Sequence, residues 1–119
     1  MLALVAHGSH NPHWRASVEE LIQSLQSQVG KDSVRLAYMD CTPPSLLDVA
    51  SEALQIGVKR LRVLPLFLTD EGHVERNITP MVDQLRNTHP TLDVEQLPPV
   101  GKHRLFKELL CSIAIQGGD

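Results

Sequence analysis

Short apolar or alternating segments take turns along this chain with longer stretches in which apolar residues return every three or four positions. Leu2–Ala6 is a continuous apolar run, fit for a strand buried on both faces. Asn11 and Pro12 then read as a helix cap and first helical position. Val18, Leu21, Ile22, Leu25 and Val29 follow at helical spacing until Gly30 ends the pattern. Val34–Met39 is a second strand. Thr42 and Pro43 open a second helix with Leu46, Leu47, Ala50, Ala53 and Leu54 on its inner face and Gly57 at its end. Leu61–Leu68 is a third, apolar strand. Thr79 and Pro80 start a third helix carrying Met81, Val82 and Leu85, and Leu92–Gln96 alternates as a half-exposed strand. A last helix carries Leu105, Phe106, Leu109, Leu110 and Ile113.

Strands alternating with helices in this way predict an α/β fold with a parallel sheet and right-handed crossovers. The first and third strands are the most continuously apolar and belong in the centre; the second and fourth belong at the edges. The predicted strand order is 2-1-3-4, a small flavodoxin-like sheet with helices on both faces. One domain over residues 1–116 is expected, with 117–119 as a flexible tail. Pro65 resists this picture, because a proline cannot donate to the ladder of a central strand.

Composition narrows the function classes. The chain has 119 residues and 42% apolar content, enough for one core. A net charge of −3 with scattered acids and bases offers nothing to nucleic acid or to an anionic membrane. No apolar run approaches the roughly 20 residues of a membrane span, and Met1 leads into an apolar segment with no basic stretch or cleavage site of a signal peptide. Cys41 and Cys111 form no CxxC, so reduced thiols in a cytoplasm are expected.

The polar residues that follow the strands carry the candidate chemistry. In an open parallel sheet the carboxyl ends of the strands form one rim, and ligands bind there. His7 ends the first strand, Asp40 the second, and His73 lies past the third, each 33 residues from the next. Two imidazoles and a carboxylate are a common ligand set for a divalent transition metal, and the same groups accept protons near neutral pH. The plain alternative for a lone loop histidine is a solvated side chain, and Asp40 also fits a helix cap. His10 and His13 follow the first strand, where exposure is the simpler reading. His89 at the amino-terminal side and His103 before the last helix read as surface residues. The serine of "HGSH" lacks the GxSxG elbow of an α/β-hydrolase, and no acidic pair ends the first strand as in a phosphoacceptor domain.

"VAHGSHNP", "AYMDCTPPSL" and "VLPLFLTDEGHVERNI" together resemble the small sirohydrochlorin cobaltochelatases of the CbiX type, class II chelatases that insert a divalent metal into a tetrapyrrole without ATP. The resemblance covers residues 2–80 and continues more loosely through "LPPVG", similar to the family's last rim loop. It implies a chelatase-like half-unit, a lyase activity, Co²⁺ as the foremost metal with Ni²⁺ or Fe²⁺ as others, no cofactor beyond that substrate ion, and a homodimer. It assigns His7 and His73 to metal binding and proton removal. Asp40 stands where the family usually has glutamate, one methylene longer, and joins them as a metal residue. His10 stands where an arginine is common. The acetate and propionate arms of sirohydrochlorin call for cations and helix amino-termini on the rim. Ser9, His10, Asn11 and Arg76 are the substrate-binding candidates, with Arg15, Asn77 and Lys102 beside them. A non-catalytic metal or tetrapyrrole carrier would use the same histidines.

Overall fold

The computed structural model describes residues 1–8, 11–40, 42–69, 72 and 74–116. Strand β1 (Leu2–Ala6) leads into helix α1 (Pro12–Val29), β2 (Val34–Tyr38), α2 (Leu46–Gln55), β3 (Arg60–Pro65), α3 (Thr79–Thr88), β4 (Asp93–Gln96) and α4 (Arg104–Gln116). The four strands are parallel in the order β2-β1-β3-β4, with Leu4 aligned to Leu36 on one side and to Leu64 on the other. Both the α/β class and the strand order match the expectation from the sequence.

Side chains alternate across the sheet. On one face Ala3, Val5, Ala37, Leu61, Val63 and Val94 pack under α2 and α3, with Val82 and Leu85 among the contacts. On the other, Leu4, Ala6, Val34, Leu36 and Tyr38 meet α1 through Ile22, Val18 and Leu25. This division follows from handedness. The step from β1 to β2 runs opposite to the steps from β2 to β3 and β3 to β4, so right-handed crossovers place α1 alone on its face.

Local chemistry sets the helix ends. Asn11 caps α1 by accepting the His13 N–H at 2.9 Å, ahead of Pro12. The second helix begins later than Thr42–Pro43 predicts. Pro44 disfavours helical backbone at Pro43, and the cap is Ser45, which exchanges side-chain and backbone bonds with Asp48 as a capping box. A wide π-helical turn, Val74–Ile78, precedes α3. Pro80 has no N–H for the Arg76 carbonyl, so a regular turn cannot run back through it.

The third strand departs from expectation twice. It ends at Pro65 rather than Leu68, because pairing with β4 stops at Val63↔Gln96. Leu66 and Arg62 donate their N–H groups toward β1, so the nitrogen of Pro65 faces the β4 side, past the end of that ladder. The proline therefore removes no ladder bond. Nor is β3 apolar on both faces: Arg60 and Arg62 lie exposed on the α1 side, Arg60 paired to Glu95 and Asp93 of β4. No helix among the described residues covers them.

Candidate active site

The loops after the four strands are joined into one rim by close contacts. After β1, His7 is exposed and its ring meets the edge of Phe67, the loop residue after β3, at 5.5 Å between centroids and 61° between planes. Gly8 follows with φ of +88°, a conformation that favours glycine. A Cβ there would stand 2.0 Å from Oδ1 of Asp40, so the β1 loop lies directly on the carboxylate that follows β2. That carboxylate also accepts the Thr42 N–H at 3.2 Å. Asp40 thus turns its own loop by an Asx-type bond; the cap expected of it falls to Ser45.

The fourth loop closes the ring of contacts. Gly101, in the 3-10 turn Val100–Lys102 after β4, donates its N–H to the Phe67 carbonyl at 3.0 Å. A Cβ at this position would lie 1.8 Å from the Leu68 carbonyl oxygen, so only glycine lets this turn press on the β3 loop. Lys102 is exposed on the same turn.

The structure thus gathers His7 and Asp40 through adjacent loops and adds Phe67. Arg76 is exposed on the π-helical turn and folds back, its Nε donating to the Gly72 carbonyl at 3.2 Å. Asn77 is exposed on that turn. Asn11 is engaged as the α1 cap, and Arg15 is half-buried in the first turns of α1. His73, Ser9 and His10 lie outside the described residues, as does Cys41. Among the described residues, no three His, Cys, Asp or Glu side chains converge as a metal site. His13 and His103 are exposed; His89, read as a surface residue, is partly buried where it ends α3. Phe67 has no signal of its own as a rim residue, whereas Gly101 ends the "LPPVG" segment expected to form the last rim loop. Phe67 merges with the apolar run of its strand, whereas a glycine directly after "LPPV" was a usable signal for a tight turn.

Within the strand that precedes Asp40, burial pushes the Tyr38 phenol above its usual range. Glu19 adds to the rise and Arg15 opposes it.

An open parallel α/β unit of order 2-1-3-4 with an imidazole and a carboxylate on its carboxyl rim is the class these features define. The chain belongs to the CbiX family, whose model matches residues 1–116. It is similar to a solved CbiX protein from Marinobacter aquaeolei VT8 named for cobalamin (vitamin B12) biosynthesis: 26% identity, a TM-score of 0.84, and coverage of 98% of this chain and 93% of that one. It is 28% identical to the sirohydrochlorin cobaltochelatase of Methanopyrus kandleri over 68% of this chain and 57% of that protein. The chloroplastic sirohydrochlorin ferrochelatase of Arabidopsis thaliana is 26% identical over 92% of this chain and 48% of that protein. The chain spans about half the length of these curated relatives. No helix among the described residues is long and apolar enough to cross a membrane.

Proposed function

We propose that this chain inserts a divalent metal, Co²⁺ foremost, into sirohydrochlorin without ATP, as a step of cobalamin- or siroheme-type tetrapyrrole biosynthesis. Its working unit is a homodimer of the domain spanning residues 1–116, acting in the cytoplasm. The observation that carries the proposal is the exposed His7 at the end of a central strand, seated between the loops after β2 and β3, in a chain that matches the CbiX family over residues 1–116.

The chemistry asks for a weak, open metal site and for a base. Metallation releases two pyrrole protons, and a neutral imidazole is a suitable acceptor. His7 and His73 hold the incoming ion beside the ring and take those protons, and Asp40 adds negative charge nearby. Coordination stays incomplete, so that the ring nitrogens replace the protein ligands in turn. Imidazole with carboxylate suits Co²⁺, Ni²⁺ and Fe²⁺ alike; the names of the relatives span cobalt and iron. The substrate's carboxylate arms meet Ser9, His10, Asn11 and Arg76, with Lys102 and the amino-terminus of α1 adding positive potential.

The test is steady-state insertion under anaerobic conditions, followed by the absorbance of sirohydrochlorin with each of the three metals. Turnover above the spontaneous rate is expected, with His7→Ala and His73→Ala each lowering it by about 100-fold or more. Binding without turnover would make the protein a carrier, and full activity in both variants would remove the histidines from the mechanism.

A further inference from the structure

Just before His73, one backbone oxygen is held twice by a single residue further along the chain. Arg76 donates its backbone N–H to the Gly72 carbonyl at 3.0 Å and its Nε to the same carbonyl at 3.2 Å. A carbonyl oxygen has two lone pairs to offer. Gly72 has φ of +81°. A Cβ there would stand 2.6 Å from Nη2, 3.1 Å from Nε and 3.2 Å from Cζ of Arg76. The guanidinium therefore lies against the bare Cα of the glycine, where any other side chain would displace it.

The far end of this clasp is anchored in the core. Val74 is 7% exposed and Ile78 is fully buried, both in the cluster under α2 and α3. The π-helical turn that they bound carries Arg76 on its exposed side. Turns of this kind are rare and gather at functional sites. In sequence, His73 stands between a residue sunk in the core and a glycine tied back to the turn. As a support for the fold the clasp achieves little, because an exposed arginine loses about as much side-chain freedom as one such bond returns. What the clasp restricts is the peptide that leads into His73.

We propose that Arg76 is a positioning residue: by clasping the Gly72 carbonyl it sets the course of the chain through His73 and fixes that imidazole for the incoming metal ion. The inference rests on the reading of His73 as a residue that holds the substrate metal. It gives Arg76 a duty beside meeting a carboxylate arm of the tetrapyrrole, and the two duties have opposite signatures. An arginine that only attracts carboxylates repels a nearby cation, so its loss should leave Co²⁺ binding unchanged or tighten it. An arginine that fixes a metal ligand should cost Co²⁺ affinity when it is removed, although a positive charge departs with it. Groups that orient a ligand from behind change metal affinity by roughly 10- to 100-fold.

The test reads Co²⁺ binding to the 119-residue chain by anaerobic equilibrium dialysis, with no tetrapyrrole present. Arg76→Ala is expected to weaken binding by about 10-fold. The same substitution in a His73→Ala background should change it by less than about twofold, because nothing is left to position. The urea midpoint of Arg76→Ala should match that of wild type. In steady-state insertion the KM for Co²⁺ should rise.

Unchanged or tighter Co²⁺ binding by Arg76→Ala would overturn the proposal and leave the arginine a carboxylate contact. So would an equal loss in both backgrounds, or a KM that rises for sirohydrochlorin alone. A urea midpoint that falls together with the affinity would make Arg76 a structural support only, and a His73→Ala protein that binds Co²⁺ like wild type would leave it nothing to act through. The expected binding pattern in a protein that turns over no sirohydrochlorin leaves this inference standing and sinks the proposed function. Full turnover, with Arg76→Ala binding Co²⁺ like wild type, does the reverse.

Discussion

On one face of the sheet, α2 and α3 close over Ala3, Val5, Leu61 and Val63, none of which retains any exposure. On the other face α1 buries only Ile22 of its own residues, and α4 buries nothing. Yet the helices on the two sides have similar sequence patterns. Met81, Val82 and Leu85 in α3 and Leu105, Leu109 and Ile113 in α4 all recur at three- and four-residue spacing. The difference lies in what each helix is returned to. α3 is followed by a strand that must pair with β3, which pulls the helix onto the sheet. No such strand follows α4 within the described residues, so its position is set by the turn at Gly101. An amphipathic pattern states that a face will be buried; connectivity decides against what.

The sharpest way to break this comparison is to truncate one leucine on each side. Leu61→Ala should cost about 2–5 kcal/mol, through lost burial and a cavity. Leu109→Ala, measured by urea unfolding of dilute protein, should fall within about 0.5 kcal/mol of wild type. Raising the protein concentration should widen the Leu109→Ala loss if α4 is covered by another chain, because association stabilises only the folded form. Equal losses in dilute protein would mean that α4 is packed within its own chain.

The next effect concerns the turn that separates the two behaviours. The neighbours of a Cβ at Gly101 would be backbone atoms of Leu68, which cannot rotate away. Gly101→Ala should therefore cost about 1–3 kcal/mol, as overpacking does. Urea unfolding of the variant checks the loss, and a variant as stable as wild type would mean that the turn yields without strain.

How far these features could be read in advance varied with how local their causes are. Strand order was legible because Leu2–Ala6 and the run after Leu61 are apolar enough to demand the centre. The α1 cap was legible because Asn11–Pro12 acts within a single turn. The start of α2 was misplaced, since Thr42–Pro43 imitates a cap until Pro44 and the Ser45–Asp48 pair are weighed. The end of β3 was misplaced because apolar content persists to Leu68 after the pairing partner has stopped. At the rim, the position of His7 followed from the strand before it. The edge contact with Phe67, and the Asp40 carboxylate lying against Gly8, depend on loops meeting across the sheet. No spacing along the chain encodes such a meeting.

The smallest expected effect lies inside the α1 face and asks how well its covered half is sealed. Tyr38 is 1% exposed beside Trp14, with ring centroids 6.4 Å apart, and its hydroxyl has no hydrogen-bond partner among the described residues. Burial raises its pKa from the ordinary value, with Glu19 adding and Arg15 opposing. The folded state therefore favours the neutral phenol. This contribution to stability is fully present below the unfolded pKa of about 10 and is lost as pH rises through the higher folded value. Tyr38→Phe keeps the ring and removes a hydroxyl with no partner in view, so at neutral pH stability should change by about 1 kcal/mol at most. Above the ordinary tyrosine range the wild type should lose stability with pH more steeply than Tyr38→Phe. Tyr38 is the only tyrosine, so phenolate absorbance reports its ionisation directly. Ionisation at the pKa of a free tyrosine would mean that water reaches the hydroxyl and that the α1 face is open even where a helix lies on it.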